Sequence, residues 1–209
     1  MWKKSFWKGC LTHKGSGTLN LKKYFYVIYI IPINESKIIM IEKSKEKILA
    51  KAFELGQKFE KKYTGCAQTS IAAIFQALGI WNDDVFKAGS GLADGLGLTG
   101  DGSCGALVGA SMVISYLFGR EYKDFGDMYK PMESYRLVKN LHDQYVEKYG
   151  SCRCYNVQES LVGRTYNLWD PNDLKEAFES DMMEHCSKLV GNIAKLATEI
   201  ILEAGFTPE

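Results

Sequence analysis

Met182-Met183-Glu184-His185-Cys186-Ser187-Lys188-Leu189-Val190-Gly191-Asn192-Ile193-Ala194-Lys195-Leu196-Ala197-Thr198-Glu199-Ile200-Ile201-Leu202 is the stretch that decides the fold class. Its apolar stripe, Met182, Met183, Cys186, Leu189, Val190, Ile193, Ala197 and Ile200, recurs at three- and four-residue intervals, the spacing that lines one face of an α-helix. The same period appears upstream. Ile41, Ile48, Ala52, Leu55 and Phe59, set among Lys and Glu, predict an amphipathic helix over 41–63 with a solvated charged face. Residues 66–78 are apolar at Ala67, Ile71, Ile74, Phe75 and Leu78 and stop at Gly79; Thr64 is the expected N-cap, which puts Cys66 in the first turn. A further helix is expected from Cys104 to Leu117, capped by Ser103 or Asp101, and another over 128–149, ending at Gly150. Asp170-Pro171 reads as an N-cap followed by proline at the first helical position. No segment alternates with the strand period and no repeat is present, so the expected fold is all-α, a single-domain helical bundle around one core.

The glycines Gly89, Gly91, Gly95, Gly97, Gly100, Gly102 and Gly105 interrupt this pattern. Such a stretch is not ordinary helix. It wraps a site or serves as a connection. Asp83, Asp84, Asp94 and Asp101 lie near it at spacings that fit no calcium loop, so they are read as turn and cap residues. Trp81, Phe86, Tyr116, Phe118 and Trp169 are expected to fill the core and its rim.

The chain has 209 residues, 46% of them hydrophobic, enough for one substantial core. Its net charge of +1, without a basic stripe, argues against nucleic acid as a partner. The balance is uneven. Residues 1–39 hold seven lysines against one glutamate, a formal +6, so residues 40–209 carry −5. This head has no amphipathic period. Its apolar run, Tyr24 to Ile33, contains Pro32, is shorter than a membrane span needs and precedes no small-residue cleavage site. Residues 1–39 are therefore read as a doubtful N-terminal extension, with Met40 as an alternative start, and residues 40–209 as the folded domain. Stable membrane insertion is not expected. Six cysteines in a chain that needs no staples, without a secretory signal, point to reduced thiols or metal ligands in a cytoplasmic protein.

Four of those cysteines, Cys66, Cys104, Cys154 and Cys186, stand far apart in sequence. Cys66 and Cys104 fall in predicted first turns, where free N–H groups and the helix dipole favour a thiolate. Four soft thiolates are the usual complement of an iron–sulfur cluster or a structural zinc. Backbone N–H groups of the glycine-rich loop are suited to stabilise buried cluster sulfurs. Gly109 serves close approach to a cofactor or plain helix packing. Each cysteine also has a simpler role as a small buried apolar residue, and Cys186 sits on the stripe of its helix.

The segments Gly65-Cys66-Ala67-Gln68, Ser103-Cys104-Gly105-Ala106-Leu107-Val108-Gly109, Gly150-Ser151-Cys152-Arg153-Cys154 and His185-Cys186-Ser187 together resemble a family of suspected redox-active proteins named for its cysteine pattern, C_GCAxxG_C_C. The resemblance runs over roughly residues 45 to 205 and rests most on Cys104-Gly105-Ala106-x-x-Gly109. It implies a small helical protein that binds a prosthetic group, an iron–sulfur cluster with [2Fe–2S] favoured, through Cys66, Cys104, Cys154 and Cys186. Cys152 is the alternative to Cys154. The implied role is a carrier in electron transfer or redox sensing, with a redox partner protein or oxidoreductase and homo-oligomers among its partners. The family is similar to the cysteine-rich part of split-Soret cytochromes, but no Cys-x-x-Cys-His haem-attachment run is present.

Two other readings stay open: a thiol–disulfide oxidoreductase using Cys104 and Cys66, without a Cys-x-x-Cys motif, and a structural zinc module. His185, about 100° around the helix from Cys186, is not expected to share its metal. His142 is read as a solvated helix residue. No Cys–His pair supplies the general base that nucleophilic catalysis needs, so catalytic residues are not assigned.

Overall fold

The computed structural model describes residues 35–208. The doubtful extension lies outside them except for residues 35–39, which open the first helix. Among the described residues there are eight α-helices and no strand: α1 Glu35–Tyr63, α2 Cys66–Leu78, α3 Asp83–Ala88, α4 Gly105–Phe118, α5 Met132–Tyr149, α6 Cys154–Val162, α7 Pro171–Glu179 and α8 Met182–Glu203. The all-α expectation holds. None of these helices is long and apolar enough to cross a membrane.

The stripe read from residues 182–202 is the centre of the bundle. α8 packs along α1 and also touches α2, α4, α5, α6 and α7. Val190, Ile193, Ala197 and Ile201 meet Ile71, Ile74, Phe75 and Leu78 of α2, Val113 and Ile114 of α4, and Leu141 and Tyr145 of α5 in one buried cluster. Burial of each large side chain contributes about 1.5–3 kcal/mol relative to exposure.

Glycine sets the closest approaches. A Cβ on Gly56 of α1 would lie 2.9 Å from the Gly191 Cα of α8, and one on Gly191 would lie 2.8 Å from the Phe53 carbonyl oxygen. Two helix backbones meet there. Gly109 does the same for α2 and α4, since its Cβ would lie 2.2 Å from the Ala67 carbonyl oxygen. Of its two readings, the packing one is what the geometry displays. Gly109→Ala is expected to destabilise the protein by about 1–3 kcal/mol, because backbone must move to admit the methyl group. Denaturant midpoints would check this; an unchanged midpoint would mean that the crossing relaxes freely.

Several helix starts differ from expectation. Thr64 does not cap α2; it sits at φ 58° and bonds back to Glu60 as α1 ends, while Gly65, at φ 84°, is the N-cap. Cys104 is itself the N-cap of α4, which begins at Gly105, so neither Ser103 nor Asp101 fills that position. The helix expected from residue 128 begins at Met132, after Pro131. Asp170 caps α7 as read, accepting from the N–H groups of Asn172 and Asp173, with Pro171 in the first turn. Trp81 and Tyr116 flank Phe75 edge-on at the rim. Trp169 fills no core: it is largely exposed, and its indole N–H donates to the Gly97 carbonyl at 3.0 Å.

Candidate functional site

The glycine-rich loop is shaped by left-handed backbone. Asp94, Gly95, Leu96, Gly97 and Leu98 follow one another at φ 45°, 69°, 70°, 60° and 61°. Glycine adopts this freely, but Asp94, Leu96 and Leu98 each pay on the order of 1–2 kcal/mol. Cross-loop hydrogen bonds hold the turn: Gly97 N–H to Gly91 O and Gly100 N–H to Asp94 O at 2.8 Å, and Gly102 N–H to Gly95 O at 3.0 Å. Strain of this kind persists where the surroundings over-determine it, and here it aims Asp94 inward.

The same loop sets two cysteines side by side. Ser103 and Arg153 form an isolated antiparallel bridge. Cys104 N–H donates to Cys152 O at 2.8 Å, Cys154 N–H to Gly102 O at 2.9 Å and Tyr155 N–H to Gly100 O at 2.9 Å. Arg153 donates to the Asp101 carboxylate at 2.9 Å. These bonds dock the start of α6 on the start of α4. Cys154 is therefore the first residue of α6. Cys66 opens α2 and Cys104 caps α4, so three of the four cysteines stand at helix N-termini.

All four, Cys66, Cys104, Cys154 and Cys186, line one cavity of about 160 Å³. Cys152 does not line it, so of the Cys152/Cys154 alternatives Cys154 is the one that faces the cavity. Glu60, Asp94 and Gln158 join the sulfurs. Asp94 N–H donates to Cys66 Sγ at 3.5 Å. The Asp94 Oδ1 accepts from the Cys154 thiol at 3.0 Å and from Gln158 Nε2 at 2.7 Å, while its Oδ2 is buried without a partner. Gly105 makes room for Cys66: a Cβ there would lie 2.4 Å from its sulfur.

Charge gathers on Cys104. The neighbouring Cys66 thiol is the largest influence on it and holds its pKa down at about 7, helped by Tyr145 and by the Ala106 and Leu107 N–H groups. The same pairing, with burial, pushes Cys66 well up. Burial, then the charge of Cys104, raises Cys154 and Cys186, so each of the other three sulfurs lies within electrostatic reach of Cys104. Tyr145 is fully buried beside Cys104, its hydroxyl without a completed hydrogen bond. Glu60, buried and accepting from Thr69 Oγ1 at 2.6 Å, is pushed up to about 7 by desolvation. Burial also raises Asp94.

Residues 64–200 match the family model described as "Putative redox-active protein (C_GCAxxG_C_C)". The chain belongs to the C_GCAxxG_C_C family. No curated protein and no solved structure matches it. The matched span of this family member contains all four cavity cysteines and excludes the head.

The donor set suits a group that takes four thiolates: soft sulfur ligands, helix N-termini at three of them, an inward backbone N–H at Cys66 and a glycine where a side chain would collide with sulfur. Among the described residues no three His, Cys, Asp or Glu side chains are grouped to hold a single metal ion. Four site residues carry no functional signal in the sequence. Asp94 stands among turn glycines. Glu60 stands among the charges of an amphipathic helix, although it continues the spacing of Leu49, Ala52 and Gly56, the buried line of α1. Tyr145 falls on one side of an amphipathic helix, and Gln158 has no distinguishing neighbours. His185 also lines the cavity.

Proposed function

We propose that this protein is a redox carrier that binds an iron–sulfur cluster, [2Fe–2S] in form, through Cys66, Cys104, Cys154 and Cys186. The observation behind this reading is the convergence of four thiols, remote in sequence, on one buried cavity. A two-iron cluster takes four thiolates, the number that lines this cavity. Such a cluster supplies one-electron chemistry. The chain's own residues hold the sulfurs, exclude water with apolar walls and direct the Asp94 N–H at Cys66. A redox protein that exchanges electrons with it is the implied partner.

Protein made without oxygen is expected to carry iron and sulfide in equal amounts and to absorb in the visible. Serine at any one of the four positions should abolish or strongly reduce the iron content, and Cys152→Ser should leave it intact. Colourless, iron-free protein after reconstitution, with all four thiols titratable, overturns the reading.

A second reading draws on the pairing of Cys66 with Cys104 at one cavity, which lowers the Cys104 pKa to about 7 and prepares a thiolate at neutral pH. Here Cys104 attacks a disulfide substrate, and Cys66 resolves the mixed disulfide. The protein's two thiols become a disulfide as two electrons and two protons pass to the substrate. Disulfide reduction by metal-free protein, lost in both Cys66→Ser and Cys104→Ser, would select it over the carrier.

A further inference from the structure

The connection from α4 to α5 carries its large apolar side chains on the outside. Tyr122, Phe125, Met128, Tyr129, Met132 and Tyr135 follow one another closely in sequence, and each is between 55% and 91% exposed. The backbone beneath them is held. Tyr122–Asp124 form a 3-10 turn, Phe125 N–H donates to Tyr122 O at 3.0 Å, Asp127 N–H to Asp124 O at 2.9 Å and Met132 N–H to Tyr129 O at 3.0 Å. Pro131 and Ser134 anchor the segment by burial, with the Ser134 hydroxyl donating to the Pro131 carbonyl at 3.0 Å. Tyr122 and Phe125 stack at 6.3 Å. Because α5 turns Ser134, Leu137 and Leu141 to the core, Met132 and Tyr135 on its other side have no interior to enter.

Area separates this face from an ordinary surface. A side chain of this size has about 150–250 Å² to bury, so six at that exposure present on the order of 800 Å². The largest apolar patch of a monomeric protein is about 300–600 Å². One side of a stable interface takes about 800 Å². Composition agrees, since tyrosine, phenylalanine, methionine and arginine are enriched where proteins meet, and Arg120 and Arg136 flank the six.

Charge selects the occupant. Residues 119–136 hold four basic and four acidic side chains, no net charge. Lys123 pairs with Glu121 at 2.6 Å, Lys130 with Asp124 at 3.7 Å and Arg136 with Glu133 at 2.6 Å, while Arg120 donates to the Asp127 carbonyl at 3.0 Å and lies over the Phe125 ring. An acidic or basic partner, or an anionic lipid surface, gains no attraction here. A second copy related by a two-fold axis meets no excess of its own charge and brings an apolar face of the same area.

We propose that the α4–α5 connection, with the first turn of α5, is the interface of a two-fold symmetric homodimer. The face lies at the end of α4 away from Cys104, about 20 Å along that helix. None of its residues lines the cysteine cavity, so it rests on neither reading of the cysteines.

The test is sedimentation equilibrium of the full chain, in reductant so that no intermolecular disulfide contributes. Twice the chain mass is expected at about 50 μM, since interfaces of this area bind at micromolar or tighter Kd. Phe125→Asp and Met128→Lys should each weaken association about a hundredfold or more, because either charge is buried on pairing whatever its sign. Both positions are exposed in the single chain, circular dichroism checks that each variant folds, and either alone decides if the other misfolds. A wild-type monomer at that concentration, or a dimer that persists in the folded variants, overturns the proposal. In the monomer case, co-sedimentation with phosphatidylcholine vesicles would assign the face to a lipid surface, and its absence to a different protein.

Discussion

Glu60→Gln should be more stable than the natural protein at pH 8, by about 2–3 kcal/mol in the reduced, metal-free state. Glu60 is 5% exposed, and desolvation raises its pKa from 4.5 to about 7. Below pH 4.5 the carboxyl is protonated in both folded and unfolded chains and costs nothing. Between about 4.5 and 7 the unfolded chain ionises while the folded one keeps its proton, so the folded state binds more protons and stability falls as pH rises. Above 7 the loss is complete, at about 1.4 kcal/mol per pH unit over that window. The amide removes this dependence and can still accept from Thr69 Oγ1. Asp94, also raised by burial, contributes a slope of the same sign that the substitution leaves in place. Cys104 has the opposite sign: its lowered pKa adds stability as pH rises from about 7 toward 9, equally in both proteins. Urea unfolding at pH 4.5 and at pH 8 would measure the difference. If Glu60→Gln were equally destabilised at both, the carboxylate would be serving the fold through its bonds and not opposing it through burial.

Such a carboxylate is tolerated because of where it sits, which explains what the sequence could and could not disclose. Period and punctuation were legible. The α8 stripe, the stops at Gly79 and Gly150 and the Asp170-Pro171 start are local facts, governed by side-chain direction and backbone conformation within one turn. The four cavity cysteines were legible for a different reason, their combination of residue type and order. The contacts between elements were not. Periodicity tells which face of a helix is buried but not which partner it meets, so Gly56 and Gly191 gave no sign that their backbones touch. Nor could Ser103 and Arg153 announce the bridge that brings Cys104 to Cys154. Asp94 is concealed because its neighbours are glycines, which mark a turn without telling where the turn points. Glu60 is concealed because charge on an amphipathic helix is usually solvated. In both cases the physical signal was a departure from a local rule: a non-glycine residue held left-handed, and an acid on a buried line.

Gly105→Ala should disarm Cys104 without replacing any cysteine. The new methyl group would lie 2.4 Å from Cys66 Sγ and 3.0 Å from both the Ala93 Cα and the Leu92 carbonyl oxygen. Backbone on one side resists, so the Cys66 side chain is what gives way. Its rotation breaks the Cys66–Cys104 pairing that is the largest cause of the lowered Cys104 pKa. Cys104 should then titrate nearer the ordinary thiol range, and its thiolate fraction at pH 7 should fall from about a half to a few per cent. Alkylation of Cys104 by a small reagent, followed by peptide mass mapping, is expected to slow about tenfold at pH 7 and to recover its limiting rate above pH 9. A stability loss of about 1–3 kcal/mol should accompany it. Cys66→Ala removes the same donor without the clash and should give the same pH profile, while Cys66→Ser, whose hydroxyl can still donate, should keep part of the effect. An unchanged profile in both Gly105→Ala and Cys66→Ala would assign the thiolate instead to Tyr145 and to the Ala106 and Leu107 N–H groups at the start of α4. In that case Cys104 would owe its reactivity to α5 and to its own helix, and the pairing with Cys66 would be a consequence of the charge rather than its cause.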